Sequence, residues 1–80
     1  MHTRGEAKEV VAMARTITDS DLLRMLARAE QDEETWADAT RRCGSADNAR
    51  RFGRATKAAE VIRAEVARRI VAAAESMLDA

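Results

Sequence analysis

No proline interrupts this chain of 80 residues, and only three glycines do. Proline removes a backbone donor and clashes with the preceding helical turn, and glycine costs about 1 kcal/mol in a helix interior. Few positions therefore resist helix. Tyrosine is absent, and phenylalanine and tryptophan occur once each. Alanine, the best helix former, supplies 18 residues, half of the apolar fraction. A β fold would want β-branched and aromatic residues that are scarce here. The large aliphatics are also few, at a level where a strongly charged chain stays unfolded. Here 14 basic and 14 acidic residues cancel, so self-repulsion does not oppose collapse. The expected fold class is all-α, in a single domain.

Three segments carry the same helix-start device. Thr3-x-x-Glu6, Thr18-x-x-Asp21 and Ser45-x-x-Asn48 each place a hydroxyl where it can accept from an orphan N–H, the first two with a carboxylate at the third helical position. Gly44 suits a left-handed position closing the helix before Ser45. The predicted helices cover about Arg4–Thr16, Asp19–Cys43 and Ala46–Asp79. Thr35-x-x-Asp38 could start a further helix, with a kink near Gln31–Glu34, but no Gly or Pro forces one.

Apolar residues recur at alternating spacings of three and four, the mark of a helix with one buried face. The first helix carries Ala7, Val10, Ala14 and Ile17. The second carries Leu22, Leu26, Ala29, Trp36, Thr40 and Cys43, interrupted by Glu33. The third carries Phe52, Ala55, Ala59, Ile62, Val66, Ile70, Ala73 and Met77. Folding the last two about Gly44 gives an antiparallel hairpin that sets Leu22 against Val66, Leu26 against Ile62, and Ala29 against Ala59. Trp36 then meets Phe52 and Gly53, where the missing side chain leaves room for the indole. In this register Gly53→Leu overpacks the seam and destabilises. Asp38 falls near Arg50 and Arg51, Glu34 near Arg54 and Lys57, Arg28 near Glu60, and Arg24 near Glu65.

At 1.5 Å per residue the third helix spans roughly 50 Å and the second roughly 37 Å, so the second cannot cover the third. The short N-terminal helix either continues along the third, with Val10, Ala14 and Ile17 near Ile70, Ala73 and Met77, or folds back to make a three-helix bundle. A second apolar line stays outside the seam in both cases. A core of this size supplies only about 3–5 kcal/mol. Both points predict a homodimer, a four-helix-type bundle with Val11, Met25, Val61, Val71 and Leu78 at its interface.

The chemistry of a reactive site is missing. A nucleophilic cysteine needs a base within reach. The single histidine, His2, sits at a terminus and the single cysteine, Cys43, at the turn, where it reads as a small buried hydrophobe. Asp32, Glu33 and Glu34 are consecutive and point around their helix. There is no Cys/His cluster, Asp-rich loop or glycine-rich phosphate cradle. No cofactor, metal or catalytic residue is expected. No run approaches the roughly 20 apolar residues of a membrane span, and no apolar leader opens the chain. The chain reads as cytoplasmic, and arginine outnumbering lysine 12 to 2 suits a GC-rich bacterium or its phage.

Charge is the remaining signal. Residues 30–38 carry a net −5 and residues 41–57 a net +5. The hairpin lets the acidic segment neutralise Arg51, Arg54 and Lys57 and leaves Arg41, Arg42 and Arg50 at the tip as candidate partner-binding residues. A pI of 6.6 is low for a nucleic-acid domain. The expected function is a non-enzymatic, helical protein-interaction module, such as an accessory or phage-encoded regulator or inhibitor that binds a macromolecular partner. The alternative is a nucleic-acid-binding dimer that uses the basic turn.

Overall fold

The computed structural model describes residues 3–79, with side chains from residue 8 onward. It is all-α. Helix α1 spans Thr3–Thr16, α2 spans Asp19–Arg42 and α3 spans Ala46–Asp79. Two of the three expected caps form. Thr18 is extended and its hydroxyl accepts from the Asp21 N–H at 3.3 Å. The Ser45 hydroxyl accepts from the Asn48 N–H at 3.1 Å. The Thr3–Glu6 pair has side chains outside the described residues. α2 runs unbroken through Gln31–Glu34.

The turn closes differently from the expectation for Gly44. No described residue has a left-handed backbone. Cys43, itself extended, ends α2 by donating its N–H to the Ala39 carbonyl at 2.9 Å. The Asn48 amide reaches back from α3 and donates to the Cys43 carbonyl at 3.0 Å and the Ala39 carbonyl at 3.4 Å. A side chain thus satisfies the carbonyls that a glycine turn would otherwise satisfy. Cys43 is exposed rather than buried, because the turn projects it past the end of the seam.

α2 and α3 form the antiparallel hairpin, and α1 folds back against it. The core joins Ala14 of α1, Leu22 and Ala29 of α2, and Ala59 and Ile62 of α3, with Val10, Ile17, Met25, Leu26 and Val66 packed around them. Alanines on all three helices allow close approach. α1 therefore makes a three-helix bundle over the middle of α3 and leaves the α3 end uncovered. Ile70 and Met77 are 63% and 79% exposed. The molecule measures 53 × 26 × 17 Å, its long axis set by α3.

Trp36 and Phe52 are only half-buried and lie outside this core. Gly53 does not face the indole: a Cβ built there meets nothing within 4 Å. The overpacking expected for Gly53→Leu is therefore overturned. The site is an open helix interior, so helix propensity decides. Gly53→Ala is expected to stabilise by about 1 kcal/mol, seen as a raised urea midpoint with an unchanged slope; a lowered midpoint would contradict the open geometry.

None of the four charge matches expected across the hairpin forms an ion pair. Asp38 pairs with Arg41 and Arg42 on its own helix at 3.5 and 3.2 Å. Arg51 pairs with Asp47 at 3.0 Å, Lys57 lies 4.0 Å from Glu60, and Arg24 lies 3.3 Å from Asp21. Neighbours three or four apart are always within reach on one helix, whereas a cross-helix pair needs both groups at the edge of the seam. Arg63 meets that condition and bridges Glu30 and Glu33 at 3.2 and 3.1 Å. Glu33, the charge inside the α2 stripe, thus finds its arginine within the chain.

Candidate functional site

The end of the hairpin beside the turn holds an open groove of about 470 Å³ lined by Trp36, Asp47, Arg50, Arg51 and Arg54. Four of these residues lie on α3 at positions 47, 50, 51 and 54, the three- and four-residue spacing that aligns side chains on one helix face. α2 brings Trp36 across the seam. Asp47 accepts from the Arg51 guanidinium at 3.0 Å and so steers it over the indole, 4.9 Å from the ring centroid. That is cation–π range. Arg50 and Arg54 form no ion pair among the described residues and are exposed. Three guanidinium groups stand here against one carboxylate, at the positive N-terminal end of α3.

The sequence-predicted residues are thus divided. Arg50 lies in the groove. Arg41 and Arg42 are exposed at the end of α2, each tied to Asp38. Arg51 and Arg54, expected to be neutralised by the acidic segment, line the groove instead. Their alignment with Asp47 and Arg50 was available in the sequence; the nearness of Trp36 depended on the register. Of the residues expected at a dimer interface, Val71 and Leu78 are 55% and 85% exposed. Met25 packs on its own core. Val11 and Val61 line a smaller groove of about 210 Å³ between α1 and α3, together with Ala14, Arg15 and Glu65. His2 lies outside the described residues.

A second polar cluster, at the middle of α3, was not anticipated. Glu65 is 6% exposed. It accepts from Arg68 at 2.9 and 2.6 Å and from Arg69 at 2.9 Å. Arg69 also donates to Asp19 at 2.6 Å and to the Ala14 and Ile17 carbonyls at 2.8 Å each. One guanidinium so ties the C-terminal end of α1, the start of α2 and α3 together. The carbonyls at the end of α1 carry the negative end of its dipole, which favours a cation there. The cluster is structural, because its donors are spent on groups of the same chain.

Hydrogen bonds from Arg68 and then Arg69 outweigh the cost of burial and hold the Glu65 carboxyl well below its ordinary value of 4.5, at about 2. The same bonds raise both arginines. The pairing with Glu33, then Glu30, raises Arg63. A carboxyl depressed in the folded state stabilises the fold fully above its unfolded pKa and loses that contribution as pH falls. Urea midpoints are therefore expected to fall from pH 4.5 toward pH 2. Glu65→Gln should be less stable at neutral pH and fall less over that interval. Parallel curves for the two proteins would refute the assignment.

Among the described residues, no group of three potential ligands is placed to hold a metal ion, and no helix is long and apolar enough to cross a membrane. Comparison with family models, characterised proteins and solved structures finds no match for this chain.

Proposed function

We propose that this chain is a non-enzymatic protein-interaction module, a small regulator or inhibitor by role, whose hairpin tip grips an acidic segment of a protein partner. The tip groove carries this reading. Tryptophan and arginine dominate binding hot spots, because they combine large contact area with fixed donors. Here one tryptophan and three arginines share a concave surface, and Arg50 and Arg54 keep their donors available. An acidic side chain entering between them would find bidentate partners without breaking an existing ion pair.

Nucleic acid is the second reading, favoured by the same arginines. Two features weigh against it. Arg41 and Arg42, which would extend the basic surface around the turn, are already paired with Asp38. The Trp36 face that could stack a base is covered by Arg51.

Trp36 is the only tryptophan, so its fluorescence reports on the groove. A glutamate-rich peptide should change that emission with micromolar affinity at about 50 mM salt, and Arg50→Ala with Arg54→Ala should abolish the response. Labelled oligonucleotides should bind negligibly at about 200 mM salt, where phosphate-driven affinity has collapsed. Oligonucleotide binding that survives this salt and disappears in the double variant would install the second reading. Silence toward both ligands would remove the groove from consideration.

A further inference from the structure

Among the described residues that line the tip groove, Asp47 is the one carboxylate, and it is already bound to one of the three guanidinium groups. Asp47 accepts from the Nε–H of Arg51 at 3.0 Å, four residues further along α3. That spacing brings two side chains together on a helix, and the acid stands on the favoured N-terminal side. The guanidinium so held lies 4.9 Å from the Trp36 ring centroid. Arg50 and Arg54 are exposed and form no ion pair among the described residues. The groove therefore has two open guanidinium groups and a third held between an acid of its own helix and an aromatic ring of the other.

The held state is easily exchanged. The Arg51 and Asp47 side chains are 53% and 61% exposed, and an ion pair this wet favours its bound form by no more than about fivefold. Arg51 makes no other hydrogen bond to a side chain among the described residues. A carboxylate arriving from outside can take the place on the Arg51 fork that Asp47 now fills, because the chemistry of the two acids is the same. Asp47 is thus a ligand that the chain supplies to itself. Its loss from Arg51 leaves the contact with the ring as the remaining hold on the guanidinium, and at an exposed site that contact is weak.

We infer that Asp47 is an autoinhibitory contact, which holds Arg51 closed over Trp36 and lowers the affinity of the groove for acidic ligands until a run of carboxylates displaces it. The inference rests on the reading of the tip as a site for an acidic segment and adds the regulation of that site. Arg50 and Arg54 receive the first acids without breaking an ion pair. Arg51 receives a further acid only by exchange with Asp47. A single carboxylate therefore leaves the groove closed, and a segment with several adjacent carboxylates opens it. The partner chemistry selected is a polyacidic stretch of protein.

Two measurements test this, on variants whose helical circular dichroism matches the parent. Without ligand, acrylamide quenching of Trp36 reads how well the ring is covered. Asp47→Ala should be quenched faster than the parent and approach Arg51→Ala, whose ring face is bare. With a labelled peptide of consecutive glutamates at about 50 mM salt, where screening is weak, Asp47→Ala should bind about two- to fivefold tighter than the parent, the range of an exposed ion pair. Asp38→Ala removes the same charge at the same end of the hairpin, from a carboxylate tied to Arg41 and Arg42 outside the groove. It should change the affinity by less than about twofold. A parent that binds the peptide, with Asp47→Ala binding no tighter, would overturn the inference and leave the acidic-segment reading standing. So would equal gains in Asp47→Ala and Asp38→Ala, or quenching of Asp47→Ala at the parent's rate. No peptide binding by the parent or any variant would remove that reading and the inference together.

Discussion

Arg69→Ala is expected to lower the melting temperature by on the order of 10 °C, a loss matched in the α3 polar residues by no other single change. Its guanidinium serves Glu65, Asp19 and the Ala14 and Ile17 carbonyls at 2.6–2.9 Å. Removing it leaves a buried carboxylate short of a partner and strips two carbonyls at the end of α1. The cost of an abandoned buried partner exceeds the net gain of the intact pair. Arg69→Lys should recover only part of the loss, because a single ammonium cannot satisfy four acceptors that a planar fork reaches together. Hydrogen exchange should accelerate in α1 first, since Arg69 is its main polar tie. A melting temperature within about 2 °C of the parent, well under the shift from 1 kcal/mol, would show the cluster to be a surface decoration.

The second large effect is in the apolar core. Leu22→Ala is expected to cost about 2–5 kcal/mol. Leu22 is 2% exposed and is the largest fully buried side chain among the described residues. It packs in one cluster with Ala14, Ala29, Ala59 and Ile62, where the alanines cannot extend to refill a void. In a domain this small each kcal/mol shifts the melting temperature by about 4–8 °C, so the variant approaches unfolding at room temperature. Leu23→Ala, one residue away but 57% exposed, should change stability by under about 0.5 kcal/mol. Equal losses in the two variants would mean that the core is not centred on Leu22.

Both effects depend on features of different visibility. Leu22 stands in the three–four apolar stripe and is legible as a core residue without coordinates. Glu65 and Arg69 are not. In one dimension they are two charges among 28, and Glu65 reads as one more solvated carboxylate near Arg24. Its burial arises because α1 folds back over that part of α3. The fold-back follows from where Val10, Ala14 and Ile17 find a surface, and the sequence admitted two such surfaces.

The tip groove divides in the same way. Asp47, Arg50, Arg51 and Arg54 share a face by helical spacing alone. Whether Trp36 joins them or sinks into the core turns on how the two helices slide and rotate against each other. Sequence periodicity defines which face of each helix is buried, yet it leaves the relative rotation and sliding of two such faces open. Gly53 shows the consequence, opening to solvent instead of sheltering the indole.

Local chemistry, then, is what the sequence determined by itself: three helices, two of their observed caps at Thr18 and Ser45, an unbroken α2 and an antiparallel hairpin. Each rests on interactions within about four residues or on a strong periodic pattern, which depend least on distant parts of the chain. Tertiary structure decided the placement of α1, the Asn48 closure of the turn, the partners of every cross-helix charge and the exposure of the α3 end. Each of those depends on which of several nearly equal contacts a long side chain or an apolar face makes. That choice belongs to packing in three dimensions.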